Sequence, residues 1–200
     1  MKSIAVFCAS GKQFIEPFSH LIDELVTYCK KKEITVIYGG AKVGLMGYLA
    51  DKCLLKDVKI TGIIPQNILD KELHHEGIEA LRITETMYER KNAMYELSDA
   101  FVVLPGSLGT LDEMFEVLCL SKLHIHNKAI GILNANHFYD FIFAHIDKMI
   151  DMGFMDEDVK SYFIIETDIE NLLDKMKLWE RPSESDLDKA VQINSIKISK

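Results

Sequence analysis

The sequence predicts an α/β protein of the Rossmann-like, doubly wound class, in which helices cover both faces of a parallel sheet and give three layers. Short apolar runs rich in β-branched residues alternate along the chain with segments of helical periodicity. Two glycine-rich turns each follow a strand-like run and open a helix-like segment, which is where ligand loops lie in open α/β sheets. The 200 residues are enough for one such domain and few for two.

Strands and helices follow from these two periodicities. Strand-like runs lie at 4–8, 35–38, 60–64, 81–84, 101–104 and 129–133. Helical spacing of apolar residues predicts helices over 18–31, 45–56, 88–97, 111–123 and 138–150. Segment 65–77 has little periodicity and is predicted to be a long surface loop or a short helix. We expect a single domain over 1–180 and a C-terminal tail over 181–200, either mobile or ending in a strand.

Composition and charge restrict the possible functions. A net charge of -8 disfavours binding to a nucleic-acid polymer, because such binding depends on clustered Lys and Arg. The four cysteines are far apart in apolar surroundings, which predicts reduced, buried thiols and a cytoplasmic location. They are Cys8, Cys29, Cys53 and Cys119. No apolar run has the length of a signal peptide or a membrane span, so we expect no association with a membrane.

The two glycine-rich turns suit a phosphate monoester. The first is YGGAKVGLMG at 38–47 and the second is PGSLGT at 105–110. Glycines let backbone N–H groups approach an anion, and the helix that follows contributes partial positive charge. Neither turn matches the patterns of Walker ATPases or dinucleotide-binding enzymes. The candidate binding residues of the first turn are Gly39, Gly40, Gly44, Met46 and Gly47.

Glu113 has two interpretations at this stage. Thr110 and Glu113 have the T-x-x-E spacing of a capping box, in which the two side chains satisfy the first amides of a helix. Alternatively, Glu113 is a catalytic carboxylate that follows a phosphate-binding turn. Thr86 and Glu89 have the same T-x-x-E spacing before the preceding predicted helix.

Arg90 favours the catalytic interpretation. It shares one helix face with Ala93 and Met94, close to the positive end of its predicted helix. Desolvation and the helix dipole both disfavour a cation in that position. We therefore expect an anion to compensate it: Glu113, a substrate phosphate, or both. A purely structural ion pair between Arg90 and Glu113 is the alternative.

Longer motifs around these residues resemble the Lonely Guy (LOG) family, whose members are often labelled lysine decarboxylases. The motifs are RKNAMYELSDAFVVLPGSLGTLDEMFEVL, YGGAKVGLMG upstream and LHIHNKAIGILNANHFYDF downstream, within about 4–154. The resemblance implies a Rossmann-like fold and a homodimer. From the residues themselves we expect neither a cofactor nor a metal, because no Cys or carboxylate completes a metal site with the histidines and no lysine stands out as a Schiff-base candidate. The resemblance also implies hydrolysis of the N-glycosidic bond of nucleoside 5′-monophosphates, such as cytokinin riboside 5′-monophosphate or AMP, to free base and ribose 5-phosphate. A non-catalytic nucleotide-binding or sensing module is the alternative function.

The resemblance also implies roles for single residues. Arg90 and Glu113 would be the catalytic pair, and Lys91 and Glu72 would contact the substrate. The phosphate and ribose contacts of the second turn would come from Gly106, Ser107, Leu108, Gly109 and Thr110. The chain departs from the family pattern at Ser107, where the motif has glycine, at Tyr88, where it has histidine, and over 119–126. Asp112 and solvent are both candidates for the proton donor to the leaving base.

Overall fold

Strands and helices alternate along the chain in the computed structural model, which describes residues 1–11, 16–71 and 73–181. The strands are β1 (Ser3–Phe7), β2 (Thr35–Tyr38), β3 (Ile60–Pro65), β4 (Leu81–Thr84), β5 (Ala100–Val103), β6 (Ala129–Leu133) and β7 (Ile164–Glu166). The α-helices are α1 (Ser19–Lys32), α2 (Gly44–Leu55), α3 (Gln66–Leu69), α4 (Met87–Leu97), α5 (Leu108–Lys122), α6 (Asp140–Asp151) and α7 (Ile169–Leu178). Short 3-10 helices occupy Glu16–Phe18, Ala135–His137 and Glu157–Tyr162.

In the described part of the chain, the strands form one parallel sheet in the order β4-β3-β2-β1-β5-β6-β7. The chain adds strands in one direction from β1 to β4 and then resumes on the other side of β1 with β5. This reversal between β1 and β5 is the topological switch point of a doubly wound sheet, where a crevice opens at the carboxyl ends of the strands.

Two apolar cores lie on opposite faces of the sheet. Successive β1 residues point to opposite faces, so Ile4 and Val6 enter one core while Ala5 and Phe7 enter the other. Helices α1, α2 and α7 cover the first core, and α4, α5 and α6 cover the second. The result is the three-layer Rossmann-like fold that the sequence predicts.

All six predicted strands are present, with ends that differ by no more than one residue. Strand β7 and helix α7 were not predicted from the sequence. The signal for α7 was present, because Ile169, Leu172, Leu173 and Met176 follow helical spacing and are buried. Segment 65–77 contains the short helix α3. Of the predicted C-terminal tail, 182–200 lies outside the described residues.

The cysteines are all free in the structure. Cys8, Cys29 and Cys53 are buried, as predicted, but Cys119 is exposed. The prediction is wrong for Cys119 because this residue lies on the side of α5 that faces away from the sheet. Within the described ranges, no helix is long and apolar enough to cross a membrane.

Candidate active site

A cavity of about 240 Å³ opens at the carboxyl edge of the sheet, next to the switch point. The segments that follow β1, β2, β3 and β5 contribute to its wall, together with α4 and α5. The lining residues are Cys8, Ser10, Gly39, Ala41, Val43, Met46, Pro65, Ile68, Leu73, Met87, Arg90, Ser107, Gly109, Thr110 and Glu113. Among these described residues, Arg90 and Glu113 are the only charged ones.

Arg90 and Glu113 form a buried ion pair in the cavity wall. Arg90 Nη1 donates to Glu113 Oε1 at 2.8 Å, and the two residues are 7% and 4% exposed. Arg90 Nε donates to the Ile63 carbonyl at 3.2 Å, and Nη1 lies 3.6 Å from Met87 Sδ. These contacts hold the guanidinium between the end of β3 and the start of α5. Of the anions that the sequence analysis considered for Arg90, the structure therefore provides Glu113.

Burial raises the pKa of the Glu113 carboxyl, although the Arg90 guanidinium acts in the opposite direction. The cause is desolvation, which penalises the charged form of a carboxyl that water barely reaches. A carboxyl whose pKa is raised towards neutrality suits acid–base work, because its basicity then matches the working pH more closely.

The capping-box interpretation of Thr110 and Glu113 is wrong. Helix α5 already begins at Leu108, its N-cap is Ser107, and Thr110 lies inside the first turn. The Glu113 carboxylate therefore lies a full turn too deep to cap the helix and is directed to Arg90 instead. The equivalent spacing before α4 is a real cap, since Glu89 N donates to Thr86 Oγ1 at 3.1 Å.

Gly39 makes room for the Arg90 side chain. A Cβ atom at this position would lie 2.1 Å from Arg90 Nη2 and 3.1 Å from Met46 Sδ. Any residue other than glycine would therefore displace the guanidinium from its present place. Gly106 likewise makes room for the Thr110 side chain, because a Cβ atom at Gly106 would lie 2.1 Å from Thr110 Oγ1. These two glycines of the two predicted turns are required by the close approach of side chains.

Some of the remaining predicted residues of the two turns line the cavity, and the others pack behind its wall or lie outside it. Met46, Ser107, Gly109 and Thr110 line the cavity, whereas Gly40, Gly44, Gly47 and Leu108 do not. Gly44 packs against the backbone of 9–11, and Gly47 packs against the Lys42 backbone. Ser107 has a φ of -100°, so a serine fits here without the left-handed conformation that favours glycine.

The structure places Lys91 beside the cavity rather than in its wall. Its ammonium group contacts the carboxylates of Asp112, at 3.1 Å, and Glu116. Glu72 lies outside the described residues, so its contact with the substrate stays a prediction. The altered residue Tyr88 is exposed and is not among the lining residues.

Sequence reasoning missed Ser10 and the apolar wall of the cavity. Ser10 follows β1 at the same edge as the two glycine turns, so the rule for carboxyl ends of parallel strands could have identified it. The apolar wall includes Val43, Ile68, Leu73 and Met87. These residues come from four separate segments and follow no local pattern that marks them as neighbours.

The cavity is therefore lined by two chemically different sets of residues. Ser107, Gly109 and Thr110 belong to the N-terminal region of the 15-residue helix α5, where free backbone N–H groups and the helix dipole favour an anion. Tyr139 supports this region, because its hydroxyl donates to the Leu104 carbonyl at 2.7 Å. The apolar side chains of Val43, Ile68, Leu73 and Met87 suit an uncharged group. In the described parts of the chain, no three His, Cys, Asp or Glu side chains are placed to hold a metal ion.

Comparison with known proteins supports a family assignment. The model of the family described as "Possible lysine decarboxylase" matches residues 46–176. The chain is 32% identical over 179 residues to a cytokinin riboside 5′-monophosphate phosphoribohydrolase from Arabidopsis thaliana, covering 90% of this chain and 78% of that relative. The chain belongs to the LOG family. Another LOG relative, the cytokinin riboside 5′-monophosphate phosphoribohydrolase from Rhodococcoides fascians, is 35% identical over 86% of this chain and 87% of its own length.

Solved structures share the fold of this LOG protein at low sequence identity. The molybdenum cofactor binding protein from Rippkaea orientalis superimposes with a TM-score of 0.66 at 19% identity, over 88% of this chain and 94% of that one. The molybdenum cofactor carrier protein from Chlamydomonas reinhardtii gives 0.66 at 15% identity, over 88% and 96%. At such identities the likeness concerns the fold alone.

Proposed function

We propose that this protein hydrolyses the N-glycosidic bond of nucleoside 5′-monophosphates to free base and ribose 5-phosphate. The observation that carries the proposal is the buried Arg90–Glu113 pair in a cavity beside the N-terminus of α5. Relatives more than 30% identical over most of the chain are named for this reaction on cytokinin riboside 5′-monophosphate.

The two sets of lining residues support a phosphate and a base, respectively. In the proposal, the phosphate lies at the α5 N-terminus near Ser107, Gly109 and Thr110. The base lies against the apolar wall, and the ribose lies between them beside Glu113. Binding of the remote phosphate then positions the glycosidic bond, which is why its loss should affect the chemical step as well as affinity.

Glu113 is proposed as the catalytic carboxylate. Cleavage of a ribosyl C–N bond develops oxocarbenium character on the sugar, which a carboxylate beside the ribose stabilises. The same carboxylate can accept a proton from the attacking water. Arg90 does not act as a general acid, because a guanidinium keeps its protons in proteins. Its proposed role is to orient Glu113 and to contact the ribose or the phosphate.

The proposed proton donor to the leaving base is solvent. Asp112 was the other candidate, but its carboxylate contacts Lys91 and it is not among the residues that line the cavity.

The experiment that tests the proposal is chromatographic detection of free base from a panel of nucleoside 5′-monophosphates, including AMP and cytokinin riboside 5′-monophosphate. We expect the wild type to release base and Glu113→Gln to be slower by at least about 10²-fold, the usual cost of removing one electrostatic stabiliser. The matching nucleosides serve as controls. Two charge-assisted bonds to the missing phosphate predict about a 10²–10⁴-fold lower kcat/KM for them.

Two results would contradict this proposal. Nucleotide binding without base release from any substrate would favour the alternative of a nucleotide-binding or sensing module. Equal rates for adenosine and AMP would show that the α5 N-terminus does not bind the substrate phosphate.

We further propose that the protein is a cytoplasmic homodimer. Its four free cysteines support a reducing compartment. Phe115, Cys119 and Leu123 support a dimer, because they follow one another at intervals of four along α5 and its C-cap residue and are all exposed. We call these three residues the α5 stripe.

A further inference from the structure

Beside the buried pair, α4 and α5 share a second set of polar contacts. Lys91 follows Arg90 on α4, and its ammonium contacts Asp112, at 3.1 Å, and Glu116 on α5. Tyr95, one turn further along α4, donates its hydroxyl to Glu116 Oε2 at 2.9 Å. We call these four residues, Lys91, Tyr95, Asp112 and Glu116, the α4–α5 clamp. Their contacts join the two helices that carry the proposed catalytic pair.

The clamp holds a permanent charge on Lys91. Partial burial of the ammonium opposes ionisation, but Glu116 and Asp112 outweigh it and raise the pKa of Lys91 above its usual value. Burial, together with the bond to Glu116, also raises the pKa of Tyr95, so its hydroxyl keeps the proton that it donates. Lys91 therefore stays charged, and Tyr95 stays a hydrogen-bond donor, at neutral pH.

The register of the two helices couples the clamp to the site. Arg90 and Lys91 are neighbours on α4, and their partners Glu113 and Asp112 are neighbours on α5. A shift of α5 along α4 that breaks the Lys91 contacts must therefore also displace Glu113 from Arg90. In addition, both carboxylates already engage the Lys91 ammonium, and Lys91 is absent from the described cavity wall.

We propose that Lys91 is a positioning residue for Glu113 and not a ligand of the substrate phosphate. This inference rests on the proposed function, since it concerns the carboxylate assigned to that reaction. Lys91 acts through Asp112 and Glu116, which fix the first turns of α5 against α4. It thereby keeps the Glu113 carboxylate in place beside the ribose.

The two roles of Lys91 differ in what its removal changes. Loss of a positioning residue lowers kcat and leaves the affinity for phosphate unaltered. Loss of a phosphate ligand weakens the binding of every phosphorylated ligand and reduces the preference for nucleotide over nucleoside. The decisive measurements are therefore kcat and KM for the nucleotide, the nucleotide-to-nucleoside ratio of kcat/KM, and calorimetric titration with ribose 5-phosphate.

We expect Lys91→Met to lower kcat by about 10–100-fold, as is typical when a reacting group is slightly misplaced. The dissociation constant of ribose 5-phosphate and the nucleotide-to-nucleoside ratio should stay at wild-type values. Lys91→Arg should restore kcat, because it keeps a cation between the two carboxylates. The double variant Asp112→Asn/Glu116→Gln should reproduce the defect of Lys91→Met, since it removes the same contacts from the other side.

Lys160→Met is the matched control, because Lys160 is also ion-paired, with Asp147 at 2.7 Å, but does not line the cavity. This variant should retain wild-type kcat. A weaker titration of ribose 5-phosphate by Lys91→Met, with a reduced preference for nucleotide, would overturn the inference and make Lys91 a phosphate ligand. Unchanged kcat in Lys91→Met would overturn it as well. If the wild type released no base, the proposed function would fail, and the titration would still decide whether Lys91 binds phosphate.

Discussion

Arg90 and Glu113 are buried together, so each has lost most of its hydration. The charge of each side chain is stabilised by the other instead of by water. Removing one partner of such a pair leaves an uncompensated charge in a place of low dielectric constant. The Arg90–Glu113 contact is 2.8 Å and lies in the cavity wall. The state of Glu113 therefore depends on Arg90, and this dependence can be measured through the pH profile of the reaction.

The first prediction concerns that pH profile. The proposed mechanism needs ionised Glu113, so activity is full above its pKa and falls tenfold per pH unit below it. Because burial raises this pKa, the acid limb of kcat/KM should lie above the ordinary range of a glutamate. Arg90 lowers the pKa, so Arg90→Met should move the acid limb to still higher pH. An identical acid limb in Arg90→Met would show that Glu113 is not the group that titrates.

The second prediction concerns Gly39. In Gly39→Ala the new Cβ would lie 2.1 Å from Arg90 Nη2, so the guanidinium has to leave its place beside Glu113. A misplaced catalytic pair would cost about 10²-fold in rate, and a buried carboxylate that loses its guanidinium partner lowers stability. We expect kcat/KM to fall by that amount and the thermal midpoint to fall as well, because the Arg90–Glu113 contact is lost.

Gly11→Ala is the control for Gly39→Ala. A Cβ at Gly11 would have no heavy atom of the described residues within 4 Å, and Gly11 is not a lining residue of the cavity. This variant should keep both activity and stability. Wild-type kcat/KM in Gly39→Ala would mean that the position of the guanidinium is not critical.

At the scale of elements, the start of α4 decides where Arg90 lies. Thr86 is the N-cap of this helix, and its hydroxyl accepts from Glu89 N at 3.1 Å. The Glu89 carboxylate accepts in turn from Glu85 N at 3.0 Å. These bonds satisfy backbone donors that the helix leaves free, and they fix the turn from which Arg90 projects.

The third prediction tests this cap. Thr86→Ala should lower the free energy of unfolding by about 1 kcal/mol, the typical cost of losing a side-chain N-cap. Thr86→Ser keeps a hydroxyl at the same position and should retain wild-type stability. Denaturation by urea measures both variants. Equal stability of Thr86→Ala and Thr86→Ser would show that the cap contributes nothing.

Elements with a strong local pattern could be predicted from the sequence, and the others could not. The run 101–104 is apolar and bounded by Asp99 and Pro105, and β5 lies within one residue of it. In contrast, β7 has only three residues, which is too short for a period of two to emerge. The start of α5 was placed too late because the T-x-x-E spacing fits a cap equally well at Thr86 and at Thr110. Only the tertiary contact with Arg90 distinguishes the two.

At the scale of the whole molecule, the site exists because the sheet brings distant segments to one edge. Ser10 follows β1 and Glu113 lies on α5, about a hundred positions later, yet both line the same cavity. The sequence indicated this edge through its two glycine turns. It could not indicate the apolar wall or the partners of Lys91, because these depend on how α3, α4 and α5 pack and not on local spacing.

The fourth prediction concerns assembly and follows from the two outer surfaces of the molecule. Leu123 of the α5 stripe is 68% exposed, and Leu55 at the end of α2 on the other side of the sheet is 76% exposed. A stripe of apolar side chains on one helix suits a two-fold interface, in which the same patch of each copy contacts the other. Leu54 and Leu55 are also exposed, but as successive residues of a helix they do not share a face and form no such stripe. Leu123→Asp should therefore convert the proposed homodimer to a monomer in sedimentation equilibrium, and Leu55→Asp should leave it dimeric. A monomeric wild type would contradict the homodimer, and a dimeric Leu123→Asp would place its interface on a surface other than the α5 stripe.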